Sequence, residues 1–229
     1  MKTGGADRRP PWITFEGTEG VGKTTQIGRL ADRLKLAGHV VKMTREPGGT
    51  ALGRRLRAVL LEPTDRPMHA VTELLLYAAD RAQHLTEVIL PALDRGEVVL
   101  CDRFLDATLA YQGHARGLGV DTVLELHRLP PLDSRPDRTV LLDMTAERAL
   151  DRALDRNADT GQDASEGRFE AERLEFHERV RAGYLELARE EPARIRVVPA
   201  DGNADEVESR VLSELTDLFP EIGISRTVR

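Results

Sequence analysis

An α/β fold, a parallel sheet of five strands with helices on both faces, is what this sequence predicts, on three observations. Short apolar runs of strand length recur along the chain, separated by segments whose apolar residues fall at helical spacing. One strand–turn–helix junction carries a glycine-rich phosphate motif. Charged residues stand just past the apolar runs, where the carboxyl ends of parallel strands gather ligands. A chain of 229 residues suits one such domain with a good core better than two.

The first strand is Trp12-Ile13-Thr14-Phe15. The turn Gly17-Thr18-Glu19-Gly20-Val21-Gly22-Lys23-Thr24-Thr25 follows and matches G-x-x-x-x-G-K-[ST] at Gly17, Gly22, Lys23 and Thr24. From Thr24 the chain reads as a helix, with Ile27, Leu30, Ala31 and Leu34 at helical spacing and Gly38 closing it. Such a junction is an anion cradle. Small residues let successive backbone N–H groups turn inward, and the helix dipole adds partial positive charge. Lys23 would reach the β- and γ-phosphates of a nucleotide, and the Thr24 hydroxyl would ligate Mg²⁺. The motif in this setting predicts a P-loop NTPase fold.

Val40 to Thr44 is the second strand, and Arg45-Glu46-Pro47-Gly48-Gly49-Thr50 a turn-rich break at its end. Leu52, Leu56, Val59 and Leu60 make a short amphipathic helix. A long helix runs from about Met68 to Leu93, with Val71, Leu74, Leu75 and Ala78 on one face, a stripe that suits either core or a dimer face. Glu97 to Cys101 is a continuous apolar strand, as at the centre of a parallel sheet, and Asp102-Arg103 end it. Helices over Leu105 to Gln112 and about Val120 to Leu129 precede the fourth strand, Arg138 to Asp143. A helix from Ala146 to about Asp155 leads into 157–167, a polar, acidic, aperiodic stretch. With its arginine-bearing flanks this predicts a mobile lid over about 152–168. A helix from about Phe169 to Arg189, a strand from Arg194 to Pro199 and a helix from Ala204 to Phe219 complete a single domain over 12–220. Residues 1–11 and 221–229 read as flexible tails.

Net charge −6 and a pI of about 5.6 argue against a nucleic-acid polymer as partner. Arginine greatly outnumbers lysine, which supplies many bidentate phosphate binders. The single cysteine, Cys101, lies in an apolar run, so no disulfide framework is possible and a buried thiol is expected. No apolar window reaches the ~18 residues of a membrane span, and 1–11 has no signal core. These features predict a cytoplasmic protein without a membrane partner.

Phosphoryl transfer requires charge neutralisation and in-line positioning more than covalent help, so arginines should converge on the loop. Arg45, Arg103, Arg152, Arg156 and Arg168 stand at strand ends or around the lid. Arg103 is foremost, because Asp-Arg directly after a buried strand puts a guanidinium at the active edge. A GTPase would need an Asn-Lys-x-Asp guanine reader, and neither Asn157 nor Asn203 precedes a lysine. A motor ATPase would need more chain, and a non-catalytic switch gives no reason for an arginine-flanked lid. A small-molecule kinase fits best, its lid closing over both substrates and excluding water.

Several runs together resemble bacterial thymidylate kinases in order and spacing, from roughly Trp12 to Leu218. They are Phe15 to Thr25, Thr44 to Thr50, Tyr77 to His84, Cys101-Asp102-Arg103-Phe104 and Ala110-Tyr111-Gln112-Gly113. Arg135-Pro136-Asp137 before Leu141-Leu142-Asp143, and Tyr184 to Ala188, extend the match. The resemblance implies phosphoryl transfer from ATP to dTMP, giving ADP and dTDP on the route to dTTP, with Mg²⁺ accompanying ATP, in a homodimer. It puts the loop residues Gly17 to Thr25 and Arg148 around ATP, and Thr24 with Asp102 at the metal. Around dTMP it puts Glu19 at the sugar 3′-hydroxyl, Tyr77 stacked on thymine, and Arg81 donating to a base carbonyl. Arg45 and Arg103 would hold the acceptor phosphate. Thr108, Tyr111 and Gln112 would complete the pyrimidine and sugar pocket, Tyr111 abutting C2′. Some members carry a catalytic Arg inside the phosphate loop, where this chain has Gly20. The resemblance is therefore to the subtype whose arginines come from the lid, here Arg152, Arg156 and Arg168. Two departures stand out: Ala107 replaces the family's usual Ser, and the segment 157–167 is longer and more acidic than usual.

Lys23→Ala or Arg103→Ala is expected to cut turnover by about 10²–10³-fold with an unchanged circular dichroism spectrum. Wild-type kinetics in either variant would remove the assigned role.

Overall fold

The computed structural model describes residues 9–63, 66–160, 168–169 and 172–222, with the backbone alone over 156–160. Its strands are β1 (Trp12–Glu16), β2 (Val41–Arg45), β3 (Val98–Asp102), β4 (Arg138–Asp143) and β5 (Ile195–Pro199). The helices are α1 (Lys23–Leu36), α2 (Ala51–Leu61), α3 (Ala70–His84), α4 (Leu90–Asp94), α5 (Leu105–Thr108), α6 (Val120–Leu126), α7 (Ala146–Thr160), α8 (Leu174–Glu190) and α9 (Ala204–Ser213).

The sheet order is β2-β3-β1-β4-β5, and every pairing is parallel. The predicted five-stranded parallel sheet is therefore present. Leaving β1, the chain forms β2 two places away, and β3 later fills the gap while β4 takes the other side. A crevice opens where the connections diverge, at the carboxyl end of β1. The middle strands β1, β3 and β4 are buried along almost their whole length, which is why they read as unbroken apolar runs. Alternate residues feed two cores. Trp12, Val99 and Leu141 face the layer holding α3, α6 and α8, whereas Ile13, Phe15, Leu100 and Val140 face α1 and α9.

Several boundaries differ from expectation, each for a physical reason. The long helix begins at Ala70, where the His69 side chain accepts the Val71 N–H, and widens into a π-helical stretch over Leu85–Ile89 before α4. Pro91 follows at once; it lacks an N–H and its ring crowds the carbonyl one turn back. Of the predicted apolar stripe only Leu74 and Ala78 are buried, while Val71 and Leu75 are exposed. α6 ends at Leu126, three residues early, because the next side chain, His127, turns back to the Val123 carbonyl. α7 runs to Thr160, beyond the expected Asp155. α8 starts at Leu174 instead of Phe169, whose ring is buried against Tyr111 and Phe176. α9 stops at Ser213 and turns carry the chain to Phe219. Residues 161–167 of the predicted lid lie outside the described residues, as do 1–8 and 223–229 of the predicted tails.

A polar network is sealed inside the layer. The Thr14 and Thr139 hydroxyls are 2.8 Å apart, Thr139 donates to Asp106, and Arg194 donates to both Asp106 oxygens at 2.7 and 2.8 Å. It ties β1, β4, α5 and the approach to β5 together. Removing one partner of a buried pair leaves the other uncompensated. Asp106→Ala is expected to destabilise by about 3–5 kcal/mol in urea denaturation, and a change under about 1 kcal/mol would show the network to be dispensable.

Candidate active site

The turn after β1 wraps the N-terminus of α1. Gly22, at φ 96°, is the residue before the first helical turn, a left-handed conformation that glycine adopts without strain. Gly20 also has positive φ, 79°, and a Cβ there would lie 2.0 Å from the Ala149 carbonyl of α7. Any side chain at position 20 would collide with the helix leading to the predicted lid, so this loop has no room for an arginine of its own. Lys23 folds over the loop and donates to the Gly17 and Thr18 carbonyls at 3.1 and 2.8 Å. Burial, reinforced by the nearby Arg103 guanidinium, lowers its amine to about 8. Thr24 Oγ1 donates to Asp102 Oδ2 at 3.3 Å.

β3 ends beside this loop, and Arg103 follows it at φ 68°, the one positive φ outside glycine among the described residues. That conformation costs a non-glycine residue about 1–3 kcal/mol and persists because the surroundings dictate it. The Arg103 N–H donates to the Phe15 carbonyl at 3.0 Å. Its guanidinium donates to Glu19 at 2.8 Å and to the Tyr184 hydroxyl at 3.2 Å, and lies 5.1 Å from the centre of the Tyr111 ring. The Tyr111 hydroxyl is 2.8 Å from both Glu19 oxygens. Burial alone would raise the Glu19 carboxyl, but Arg103, Lys23 and Tyr111 outweigh it and hold it below the usual range. Glu16, behind the pair, is the opposite case. Burial and then Asp106 push it up to about 8, although it accepts from the Phe104 N–H at 2.7 Å and from Tyr184 at 2.8 Å.

Loop and strand ends open on one cavity of about 840 Å³. At the loop end it is lined by Glu19, Gly20, Gly22, Lys23, Thr24, Thr25, Asp102, Arg103 and Arg152. The same cavity is also lined by Arg45, expected at the acceptor phosphate, and by Tyr77, Arg81, Thr108, Tyr111 and Gln112, expected around the base and sugar, with Ala107 beside Thr108. A π-helical stretch over Leu109–Ala115 carries Tyr111 and Gln112 and buries both. Arg81 is fixed by donating to Glu46 at 2.8 Å, Thr108 at 2.9 Å and His127 at 2.8 Å. Burial and the Arg81 charge lower His127 to about 4. Its Nδ1–H donates to the Val123 carbonyl, which leaves Nε2 as Arg81's acceptor.

Other predicted positions are not in the cavity wall. Thr18 and Val21 are buried within the loop, and Gly17 turns behind it. Arg148 pairs with Asp201 in the turn before α9, where Asn203 and Glu206 form a capping box. Arg168 points away, donating to Glu73 at 2.7 Å and to the Leu60 carbonyl, with its guanidinium over the Phe169 ring. The Arg156 side chain lies outside those described. The sequence did not single out Arg57, Phe104 and Phe169 in the wall, or His177, buried 3.7 Å from Glu19. Arg57 was one arginine among many, and the apolar Phe104 and Phe169 read as ordinary core. His177 follows Phe176 on an amphipathic helix, so nothing in its spacing marked it.

A phosphate cradle opposite an aromatic compartment lined by guanidinium groups, in one cleft of a parallel sheet, is the arrangement of P-loop kinases that phosphorylate small acceptors. A family model described as thymidylate kinase matches residues 15–211. Thymidylate kinase of Syntrophotalea carbinolica is 56% identical over 200 residues, 87% of this chain and 92% of that protein. The Desulfosudis oleivorans thymidylate kinase is 52% identical over 212 residues, 93% of this chain and 99% of that one. The crystal structure of thymidylate kinase from Ehrlichia chaffeensis superposes with a TM-score of 0.72 at 31% identity, covering 91% of this chain and all of that one. The chain belongs to the thymidylate kinase family and is a nucleoside monophosphate kinase that converts dTMP to dTDP with ATP. Among the described residues no helix is long and apolar enough to cross a membrane.

Because burial holds the Lys23 amine near 8, a bound triphosphate should raise it by supplying the missing anion. ATP binding is therefore expected to take up protons at and just above pH 8, and to take up almost none at pH 6, where the amine is already charged. Calorimetry in buffers of different ionisation enthalpy measures this; no uptake between pH 8 and 9 would contradict the lowered amine.

Proposed function

We propose that the two ends of the cavity are the donor and acceptor subsites and that Arg103 works at their junction. The observation that carries this reading is the pairing of Arg103 with Glu19, which sets a fixed guanidinium between the phosphate loop and the pyrimidine pocket. ATP lies with its phosphates in the loop, against the backbone N–H groups and Lys23, and with its adenine toward Arg148. dTMP lies in the far compartment, its base beside Tyr77, Arg81, Thr108 and Gln112 and its sugar hydroxyl at Glu19. Arg45 and Arg103 hold its phosphate in line with the γ-phosphoryl group. The covalent step asks little of the protein; fixed positive charge around the transferring group is the main contribution.

Arg152 already faces the cavity, and Arg156 on the lid, about 152–168, joins it when the lid closes and excludes water, while Arg168 stays on Glu73. Thr24 and Asp102 suit Mg²⁺. Their oxygens meet at the loop's edge, and Mg²⁺ characteristically takes one or two protein oxygens and fills its octahedron with phosphates and water. A bound Mg²⁺ would offset charge on the phosphate oxygens. Residues 12–220 act as one kinase domain between tails. The enzyme works in the cytoplasm as a homodimer, with exposed Leu52 and Val59 on α2 and Val71 and Leu75 on α3 as the apolar face for its partner copy. Its partners are ATP and dTMP, with no nucleic-acid polymer or membrane.

A coupled ADP-release assay offering dTMP, dUMP, dCMP, dGMP and AMP tests this. ADP formation is expected to depend strongly on dTMP, and no turnover with any acceptor would overturn the reading.

A further inference from the structure

Glu73 lies on α3 one turn before Tyr77, with none of its surface exposed. Side chains from three other places converge on its carboxylate. Gln112 Nε2 donates at 2.7 Å, Arg168 Nη1 at 2.7 Å and Arg116 Nε at 3.3 Å. A carboxylate only accepts hydrogen bonds, so the Gln112 amide must turn its nitrogen toward Glu73. Gln112 is itself 1% exposed and lines the cavity, and the end left for a ligand is its carbonyl oxygen, an acceptor. Arg81, in the same wall, only donates. Arg81 and the Gln112 carbonyl thus offer the base one donor and one acceptor. Thymine matches them with a carbonyl oxygen beside a ring N–H. Cytosine does not, since it has an amino group beside a bare ring nitrogen.

We propose that Glu73 is a specificity-determining positioning residue: by holding the Gln112 amide nitrogen it points the Gln112 carbonyl at the ring N–H of the base and so selects thymine over cytosine. This rests on the dTMP reading of the pocket. Arg116 and Arg168 supply the positive charge that lets an acid stand there fully buried. The discrimination is strong in kind, because a mismatched base would leave buried polar groups facing like partners.

The test is the ratio of kcat/KM for dTMP to that for dCMP. Glu73→Gln keeps the shape but can donate to the Gln112 carbonyl and let the amide turn over. Its ratio is expected to fall by about tenfold or more. Glu73→Asp keeps the carboxylate and is expected to hold the ratio within about threefold, whereas a packing role would make the shorter Asp the more damaging change. The exchange Glu73→Gln with Gln112→Glu puts an obligate acceptor at 112 and is expected to restore the dTMP preference. An unchanged ratio in Glu73→Gln, with both substrates slowed alike, would overturn the proposal and leave the dTMP kinase reading standing. A wild type that uses dCMP as well as dTMP would sink that reading itself. Should Glu73→Gln fail to fold, the exchanged pair decides: preference kept supports the proposal, preference lost overturns it.

Discussion

The ion pair of Arg103 and Glu19 is the contact on which the rest of the cleft depends. Glu19 comes from the loop after β1 and Arg103 from the end of β3, so the pair locks two neighbouring strand ends at the switch point of the sheet. Arg103 has a left-handed backbone, a local cost offset where its N–H donates to the Phe15 carbonyl and its guanidinium donates to Tyr184 and lies against the Tyr111 ring. The guanidinium already has Glu19, Tyr184 and the Tyr111 ring as partners, so little reorganisation is needed when an anion arrives.

Charge around that pair is unevenly balanced, to a purpose. Lys23 is held below its ordinary value, and Glu19 is held ionised by the cations beside it. Glu16, one layer deeper, is raised instead because burial and Asp106 act on it together. Three groups within a few residues are thus shifted in different directions by burial and by which charges they face. The cleft has an excess of positive charge ready for phosphates, while the acid beneath can remain neutral and keep the interior from carrying an unpaired charge.

Helix irregularities shape the cavity wall. The π-helical stretch over Leu109–Ala115 turns Tyr111 and Gln112 inward together, with Tyr111 reaching Glu19 and Gln112 reaching Glu73. On the facing helix Arg81 is sealed by Glu46 and His127. Charged residues this deeply buried are tolerable only because each has partners from separate elements, which also makes their positions exact consequences of the packing.

The phosphate loop, the five strands and most of the residues that line the cavity were legible in the sequence, because a glycine turn between strand and helix and unbroken apolar runs are local signals with local causes. Even the absence of an arginine at position 20 could be read, though its reason, the Ala149 carbonyl of α7 lying over Gly20, could not. Tertiary structure alone decided what depends on distant partners. It turned Arg168 toward Glu73, placed Phe169 and His177 beside the site, and exposed Val71 and Leu75 on a stripe that looked uniformly apolar. Local pattern records which residues can be buried. Which of them meet across the cleft is settled only when elements far apart in the chain close around the carboxyl end of β1.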